Sequence, residues 1–314
     1  MTEKEFYEMI RNRIRDYLPE RYDNCRIELH EVVKNNDRHL MGISVVPEGE
    51  CAAPLVYLNS YYHQNNDGRD IDDICEEIAD TFLSFQDMSK EVSSLDMNYE
   101  SMRDKLRVKV VNTKSNREML RNVVSQPVGC GYALVPYIDL ENSGFPGGCI
   151  QITNELAASF NKSTSEIMSD AISGSSREEG AGLFRIEDML FGAGKPENLL
   201  HADSAKEETG PFVLTNTTSG VLGASALFLP DVQKQIADTL GSGYYVMPSS
   251  IHEVLVVPDR EDVSPRKLGQ MVKDVNSAMV QPEEQLGNRV LHYNAMQGKL
   301  VIAADLDRSR GAER

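Results

Sequence analysis

The sequence predicts an α+β protein made of repeated helix-then-hairpin units, with antiparallel sheets and amphipathic helices covering one face of each. Three observations carry this. Helix and hairpin signals recur in that order along the chain. Apolar residues alternate with period two in the hairpins and fall three and four apart in the helices. The parallel strand–helix–strand order of a doubly wound fold is not repeated, which removes the usual argument for a nucleotide crevice. A hairpin leaves one face apolar, and an amphipathic helix supplies the cover.

The clearest unit is Gly243–Ser277. Tyr244–Met247 and Glu253–Val257 are β-branched and aromatic runs separated by Pro248-Ser249-Ser250 and closed by Pro258, which indicates a hairpin. In the helix that follows, Ser264 suits the N-cap and Pro265 the first position, and Leu268, Met271, Val272 and Val275 recur at helical spacing.

From the N-terminus, Thr2-x-x-Glu5 is a capping box opening a helix through Leu18, with Phe6, Met9, Ile10, Ile14, Tyr17 and Leu18 as its apolar stripe and Pro19 as its stop. Ile27, Leu29 and Val33, then Met41, Ile43 and Val45, form a hairpin about Asn35-Asn36-Asp37. Pro54–Leu58 reads as a third strand, and a short helix begins at Asn59. From Asp70 a helix buries Ile71, Ile74, Cys75, Ile78, Ala79 and Phe82 and turns Asp72, Asp73, Glu76, Glu77 and Asp80 outward. After a polar stretch, Gln86–Asn98, come a strand at Arg107–Val111 and a helix opened by a second capping box, Ser115-x-x-Glu118.

A domain boundary is expected here, giving an α+β domain over 1–125, a second over 126–305 and a polar tail over 306–314. In the second, Tyr132–Asp139 and Cys149–Ile152 form a hairpin across the Gly/Pro-rich connection Ser143–Gly148, and Ser163-x-x-Glu166 opens a helix. Ser173–Pro211 is the least regular part, with one short helix near Ile186–Leu190. Phe212–Thr215 and Ala224–Leu229 read as strands, and Asp231 caps a helix that Gly241 ends. Arg289–Tyr293 and Lys299–Ala303 form the last hairpin.

The 314 residues carry 32 Lys+Arg against 49 Asp+Glu, a net charge of −17, which repels a phosphate backbone and makes nucleic acid an unexpected partner. Arg103, Lys105, Arg107 and Lys109 lie close together and read as a solvated face. No run is apolar for the ~18 residues a membrane span needs, and the N-terminus lacks a leader pattern. Five scattered cysteines without a CxxC pair point to reduced thiols. The expectation is a cytoplasmic protein without membrane contact, metal or cofactor.

No motif supports a specific chemistry. His30-Glu31 and His252-Glu253 lack the second histidine of a zinc-protease helix, since Lys34 and Val256 stand four residues on. Gly192–Lys195 resembles the end of a P-loop, but Met189 stands where its first glycine belongs and Pro196 replaces the Ser/Thr. Asp73, Glu77 and Asp80 share a helix face, the usual pattern of a solvated one. Cys51, Cys130 and Cys149 could each pair with a distant histidine, but without a GxSxG-type elbow the sequence gives no reason to choose one. Ser249, Ser250 and His252 are the candidate catalytic residues, a nucleophile and a base in one connection, although turn bonding by the serines explains them as well. Asn59, Tyr61, Asn216 and Thr217 are candidate ligand contacts, the last two in the hydroxyl-rich stretch Thr215–Gly220, which a turn with side-chain-to-backbone bonds explains equally well.

Three segments belong together: Tyr57–Tyr62; Leu214-Thr215-Asn216 with Gly220, Gly223 and Ala224; and Met247–Val254. They resemble an uncharacterised domain-of-unknown-function family typical of anaerobic gram-positive gut bacteria, over about Glu5 to Ala303. The resemblance implies a bacterial cytoplasmic origin and brings no activity, cofactor or catalytic residue. The function expected is a non-catalytic protein-binding or adaptor module. The alternatives are a hydrolase or small-ligand enzyme using the Pro248–Glu253 connection, or a structural subunit of an assembly. Oligomeric state is not legible in the sequence.

Overall fold

The computed structural model describes residues 1–49, 54–84, 96–141, 148–192, 194–201 and 210–307. Several expectations lie outside the described residues: Cys51, the polar stretch over 86–95, the connection over 143–147, Ala193, residues 202–209 of the irregular segment, and the tail from 308. The fold is α+β, with three sheets among the described residues, all of antiparallel pairs. Two compact units are formed, by residues 1–97 with 140–146 and by 98–139 with 147–314.

The first unit opens with α1 (Glu3–Arg13), whose capping box joins Thr2 and Glu5 in both directions. Phe6, Ile10 and Ile14 are fully buried. The regular helix stops at Arg13, and Ile14–Tyr17 tightens into a 3-10 turn. Leu18 is already extended (φ −107°, ψ 148°), because the ring of Pro19 crowds a helical residue before it. The strands β1 (Arg26–Lys34) and β2 (Arg38–Val46) pair with Ile27 opposite Val45 and Leu29 opposite Ile43. Asn36 and Asp37 take left-handed backbone in their turn (φ 63° and 49°), a conformation that Asn and Asp tolerate best among side-chain-bearing residues. β3 (Leu55–Tyr57) completes the sheet and α2 (Asn59–Asn66) follows. In α3 (Ile71–Ser84), Ile74, Cys75, Ile78, Ala79 and Phe82 enter one core with Phe6, Ile10 and Ile14, Ile43, Val45 and Leu58, while Met9, expected in the α1 stripe, is exposed. Burial, the largest cause, pushes the Cys75 thiol up to about 11, so it is protonated and inert at neutral pH.

The second unit contains α4 (Tyr99–Met102), β4 (Leu106–Asn112), α5 (Met119–Asn122), β5 (Gln126–Gly129), β6 (Tyr132–Asp139) and β7 (Cys149–Gln151). β4 pairs with β6 from Leu106–Ile138 to Asn112–Tyr132, across the expected boundary at 125/126. The capping box expected at Ser115 does not form. α5 begins later, without a side-chain cap, and the fully buried Asn116 turns its amide to the Asn112 carbonyl instead. Arg107, expected on a solvated face, is buried, and its Nη1 donates to the carbonyls of Asp104 and Leu106. After α6 (Asn154–Ser159), α7 (Thr164–Gly174) opens with the reciprocal Ser163–Glu166 box that its sequence predicts. At Gly174 a Cβ would stand 2.2 Å from the Leu106 carbonyl oxygen, so this position lets helix and strand approach.

The six-stranded sheet has the order β13-β12-β10-β11-β9-β8, built from β8 (Ala181–Arg185), β9 (Phe212–Asn216), β10 (Tyr244–Met247), β11 (Val254–Pro258), β12 (Arg289–Asn294) and β13 (Lys299–Asp305). β8 lies inside the stretch expected to be irregular. On the side of β8 away from β9, Leu183 N–H donates to Asn198 Oδ1 (3.1 Å) and Asn198 Nδ2 donates to the Ala181 carbonyl (3.0 Å). The strand expected over 224–229 is instead a 3-10 helix, Gly223–Phe228. Its buried small residues Ala224, Ser225 and Ala226 let the backbone coil tightly against β9. α8 (Ile186–Phe191) and α9 (Val232–Leu240) follow β8 and the 3-10 helix respectively; Asp231 makes no side-chain cap bond, while Gly241 ends α9 with left-handed backbone. In α10 (Pro265–Met279), Leu268 and Val272 pack on Met247 and Val290. Met271 (56% exposed), Val275 (40%) and Met279 (80%) face solvent, so the apolar stripe is wider than the sheet it covers. Ser264 makes no side-chain cap bond.

Candidate functional site

The second and third of the segments grouped above meet at one end of the six-stranded sheet. β11 pairs with β9, with Val254 opposite Leu214, and this sets the turn after β9 beside the connection before β11. Thr215 Oγ1 donates to the His252 carbonyl (2.9 Å), and Ala224 N–H donates to the Ile251 carbonyl (3.2 Å). Thr215, Asn216 and Ser250 are buried here.

Asn216 braces its own turn. Its Oδ1 accepts from Gly220 N–H (2.8 Å), Thr218 N–H (3.3 Å) and Thr218 Oγ1 (3.2 Å), and its Nδ2 donates to the Val221 carbonyl (2.9 Å). These bonds organise the backbone in the way Asx turns do. Thr217 is half-buried in the same turn. Val221 N–H finds Ser219 Oγ (3.1 Å), so the turn's own side chains take up the amide groups of residues 218, 220 and 221.

Ser250 Oγ accepts from His252 N–H at 3.0 Å, so serine and histidine meet through the backbone here. Ser249 contributes its carbonyl to Leu286 N–H (3.0 Å). The His252 ring is held from two sides. Its Nδ1 accepts from Leu222 N–H at 3.2 Å, and its Nε2 stands 3.4 Å from Glu284 Oε1. A nitrogen that accepts carries no proton, so the neutral ring is the Nε2–H tautomer with its N–H toward the carboxylate.

Glu253 is half-buried beside this pair. Burial, the largest cause, raises its carboxyl above the ordinary range, His252 works in the opposite direction and Glu284 adds to the rise. The folded state therefore keeps this proton at a pH where the unfolded chain has lost it. The charged form costs stability above the folded pKa, and the cost disappears below the unfolded one. Glu253→Gln is expected to raise the urea midpoint at about pH 7.5 and to leave it unchanged at about pH 3, below the ordinary Glu value. Equal shifts at both pH values would refute this.

Asn59 and Tyr61 belong to the first unit. Asn59 Oδ1 accepts from Met41 N–H (2.8 Å) and its Nδ2 donates to Tyr7 Oη (2.9 Å) and Glu3 Oε1 (3.2 Å), tying α2 to β2 and α1. Tyr61 Oη donates to Glu77 Oε1 (2.9 Å); burial first, then this bond, pushes the phenol up to about 12. Cys130 Sγ donates to the Leu300 carbonyl (3.4 Å), and Cys149 is exposed at the start of β7.

Two arrangements escape a sequence reading. His30 Nε2 lies 3.0 Å from Ser44 Oγ, with Glu28 Oε2 3.6 Å from the same nitrogen. The register puts Glu28 opposite Ser44 and His30 opposite Gly42, so all three share one face of β1–β2. A relay needs the carboxylate at the other ring nitrogen, and here both partners crowd Nε2. The second arrangement is a cleft of about 230 Å³ lined by Tyr99, Glu100, Arg103, Lys162, Glu166, Ser169 and Asp170. Arg103 binds Asp170 through two nitrogens (2.9 and 3.1 Å), and Tyr99 Oη donates to the same carboxylate (2.6 Å). Burial works to raise the Asp170 carboxyl, and the bonds from Arg103 and Tyr99 outweigh it to leave it lowered. Lys162 Nζ lies 5.2 Å from the Tyr99 ring centroid and 3.9 Å from Glu100. These charges pair with one another across α4 and α7, which are joined only by folding.

Among the described residues no group of three His, Cys, Asp or Glu side chains could hold a metal ion, and no helix is long and apolar enough to cross a membrane. No curated protein and no solved structure matches the chain. A family model described as a family of unknown function matches residues 3–295, nearly the whole chain and all three segments that the sequence had grouped. The chain therefore belongs to the DUF5688 family, a family of unknown function.

Proposed function

We propose that this protein is a non-catalytic protein-binding or adaptor module, and that the polar turn over 217–221 is a surface it holds in a fixed shape for a protein partner. The observation that carries the reading is the use made of the candidate chemistry. His252 accepts from Leu222 at one ring nitrogen and faces Glu284 with the other, Ser250 Oγ accepts from the backbone of His252, and the Asn216 amide braces its own turn. Groups that could act on a substrate thus serve as struts for the turn that carries Thr217, Thr218 and Ser219. A bacterial cytoplasmic setting belongs to the same reading, supported by scattered cysteines without a paired motif, and the net charge of −17 argues against nucleic acid as the partner.

The test combines two measurements on tagged, folded protein. Serine-directed and cysteine-directed activity probes are expected to give no site-selective labelling, and native mass spectrometry after gentle isolation from the source cells is expected to show a stoichiometric second protein. Selective labelling of Ser249 or Ser250 that His252→Ala abolishes, or a small molecule retained on a lone chain, would overturn the reading in favour of an enzyme.

A further inference from the structure

We infer that His252 is a pH-sensitive latch that holds Leu222, the last residue of the turn, when its ring is neutral and releases it when the ring is protonated. The inference concerns the conformation of residues 217–222 and stands whether or not that turn meets a partner.

The geometry makes the bond conditional. Leu222 N–H donates to His252 Nδ1 at 3.2 Å, and an imidazole nitrogen accepts only while it is unprotonated. Leu222 has left-handed backbone (φ 57°), which a residue with a Cβ adopts only when its surroundings hold it there. Protonation would set an Nδ1–H against the Leu222 N–H, turning an attraction into a contact between two donors. The tether would be lost at the residue that most needs one.

The titratable groups that face the ring are both acidic. From the connection before β12, Glu284 Oε1 lies 3.4 Å from Nε2, and Glu253, next in the chain, interacts with the ring electrostatically. From the other side, residues 215–223 contain no titratable side chain. When the ring takes up a second proton at Nδ1, the Leu222 bond gives way. The change stays local. Asn216 braces residues 218, 220 and 221 with an amide that does not titrate, and Val254 remains paired with Leu214.

Amide hydrogen exchange of the full chain, corrected for intrinsic rates and followed by NMR between about pH 7.5 and pH 5, tests this, with the His252 ring titrated in the same samples. The Leu222 amide is expected to lose about tenfold in protection, the size of one ordinary hydrogen bond. The midpoint should be that of the His252 ring, and the Val254 amide should not change. His252→Gln offers a carbonyl that does not titrate and should flatten the profile. Constant Leu222 protection across the ring titration, a fall in step with Val254, or a fall that persists in His252→Gln would each overturn the latch.

Discussion

Arg289→Met is expected to destabilise the second unit by about 3 kcal/mol or more, the usual cost of breaking a buried ion pair from one side. Arg289 and Asp305 have side chains only 8% and 9% exposed, and Arg289 Nε donates to Asp305 Oδ2 at 3.2 Å. The same guanidinium donates through Nη1 to the carbonyls of Cys130 (3.2 Å) and Gly131 (3.4 Å), so it links β12 to the turn between β5 and β6. Methionine fills much of the volume but takes the cation away from a buried carboxylate, which keeps the Asp307 N–H at Oδ1 (3.0 Å). It also takes the Nη1 donor away from the Cys130 carbonyl, while the Gly131 carbonyl still accepts from Thr113 N–H (2.9 Å) and Oγ1 (3.0 Å). The loss should appear as a lower urea midpoint at unchanged slope. Asp305→Leu added to Arg289→Met should recover a large part of it, because the cost lies in the stranded charge more than in the missing attraction. A single-variant loss below about 1 kcal/mol, typical of hydrated pairs, would mean that water reaches this site.

Gly223→Ala is expected to cost about 2–3 kcal/mol, in the range of forced overpacking. A Cβ there would stand 2.1 Å from Thr215 Oγ1, 2.6 Å from Asn216 N and 2.8 Å from the His252 carbonyl oxygen. Two of these are backbone atoms, and the third makes the Thr215–His252 bond that joins the turn to the connection, so there is no flexible chain end to yield. The substitution should also lower amide protection at Leu222. Gly194→Ala, where nothing lies within 4 Å of the added carbon, serves as the control and should change stability by no more than about 0.5 kcal/mol. Equal effects at both positions would show that the junction relaxes around the methyl group.

Local signals were legible in the sequence where local forces decide. The hairpins follow from period-two alternation closed by turn residues, and the boxes at Thr2–Glu5 and Ser163–Glu166 form as written. Ser115–Glu118 carries the same pattern and fails, because the buried Asn116 finds the Asn112 carbonyl and delays the helix. At α10 the helical period was legible, but which apolar residues are covered depends on the width of the sheet, and Met271 and Val275 fall beyond it. β8 exists through its pairing with β9, and nothing within five residues announces that. The candidate site divides in the same way. Thr215–Gly220 and Ser249–Glu253 were recognisable as polar segments, each on its own. That they meet follows from the placement of β9 beside β11, and the bond between Arg103 and Asp170 spans 67 positions, a distance at which spacing carries no signal.

The Asn198 side chain has a consequence for the rim of the six-stranded sheet. By donating to the Ala181 carbonyl and accepting from Leu183 N–H, its amide stands in for one residue of a seventh strand and blunts the rim of the sheet where β8 would otherwise offer a template for strand-by-strand growth. Deamidation of Asn198 would undo it by chemistry alone, replacing the donor with an oxygen opposite the Ala181 carbonyl and reopening that rim.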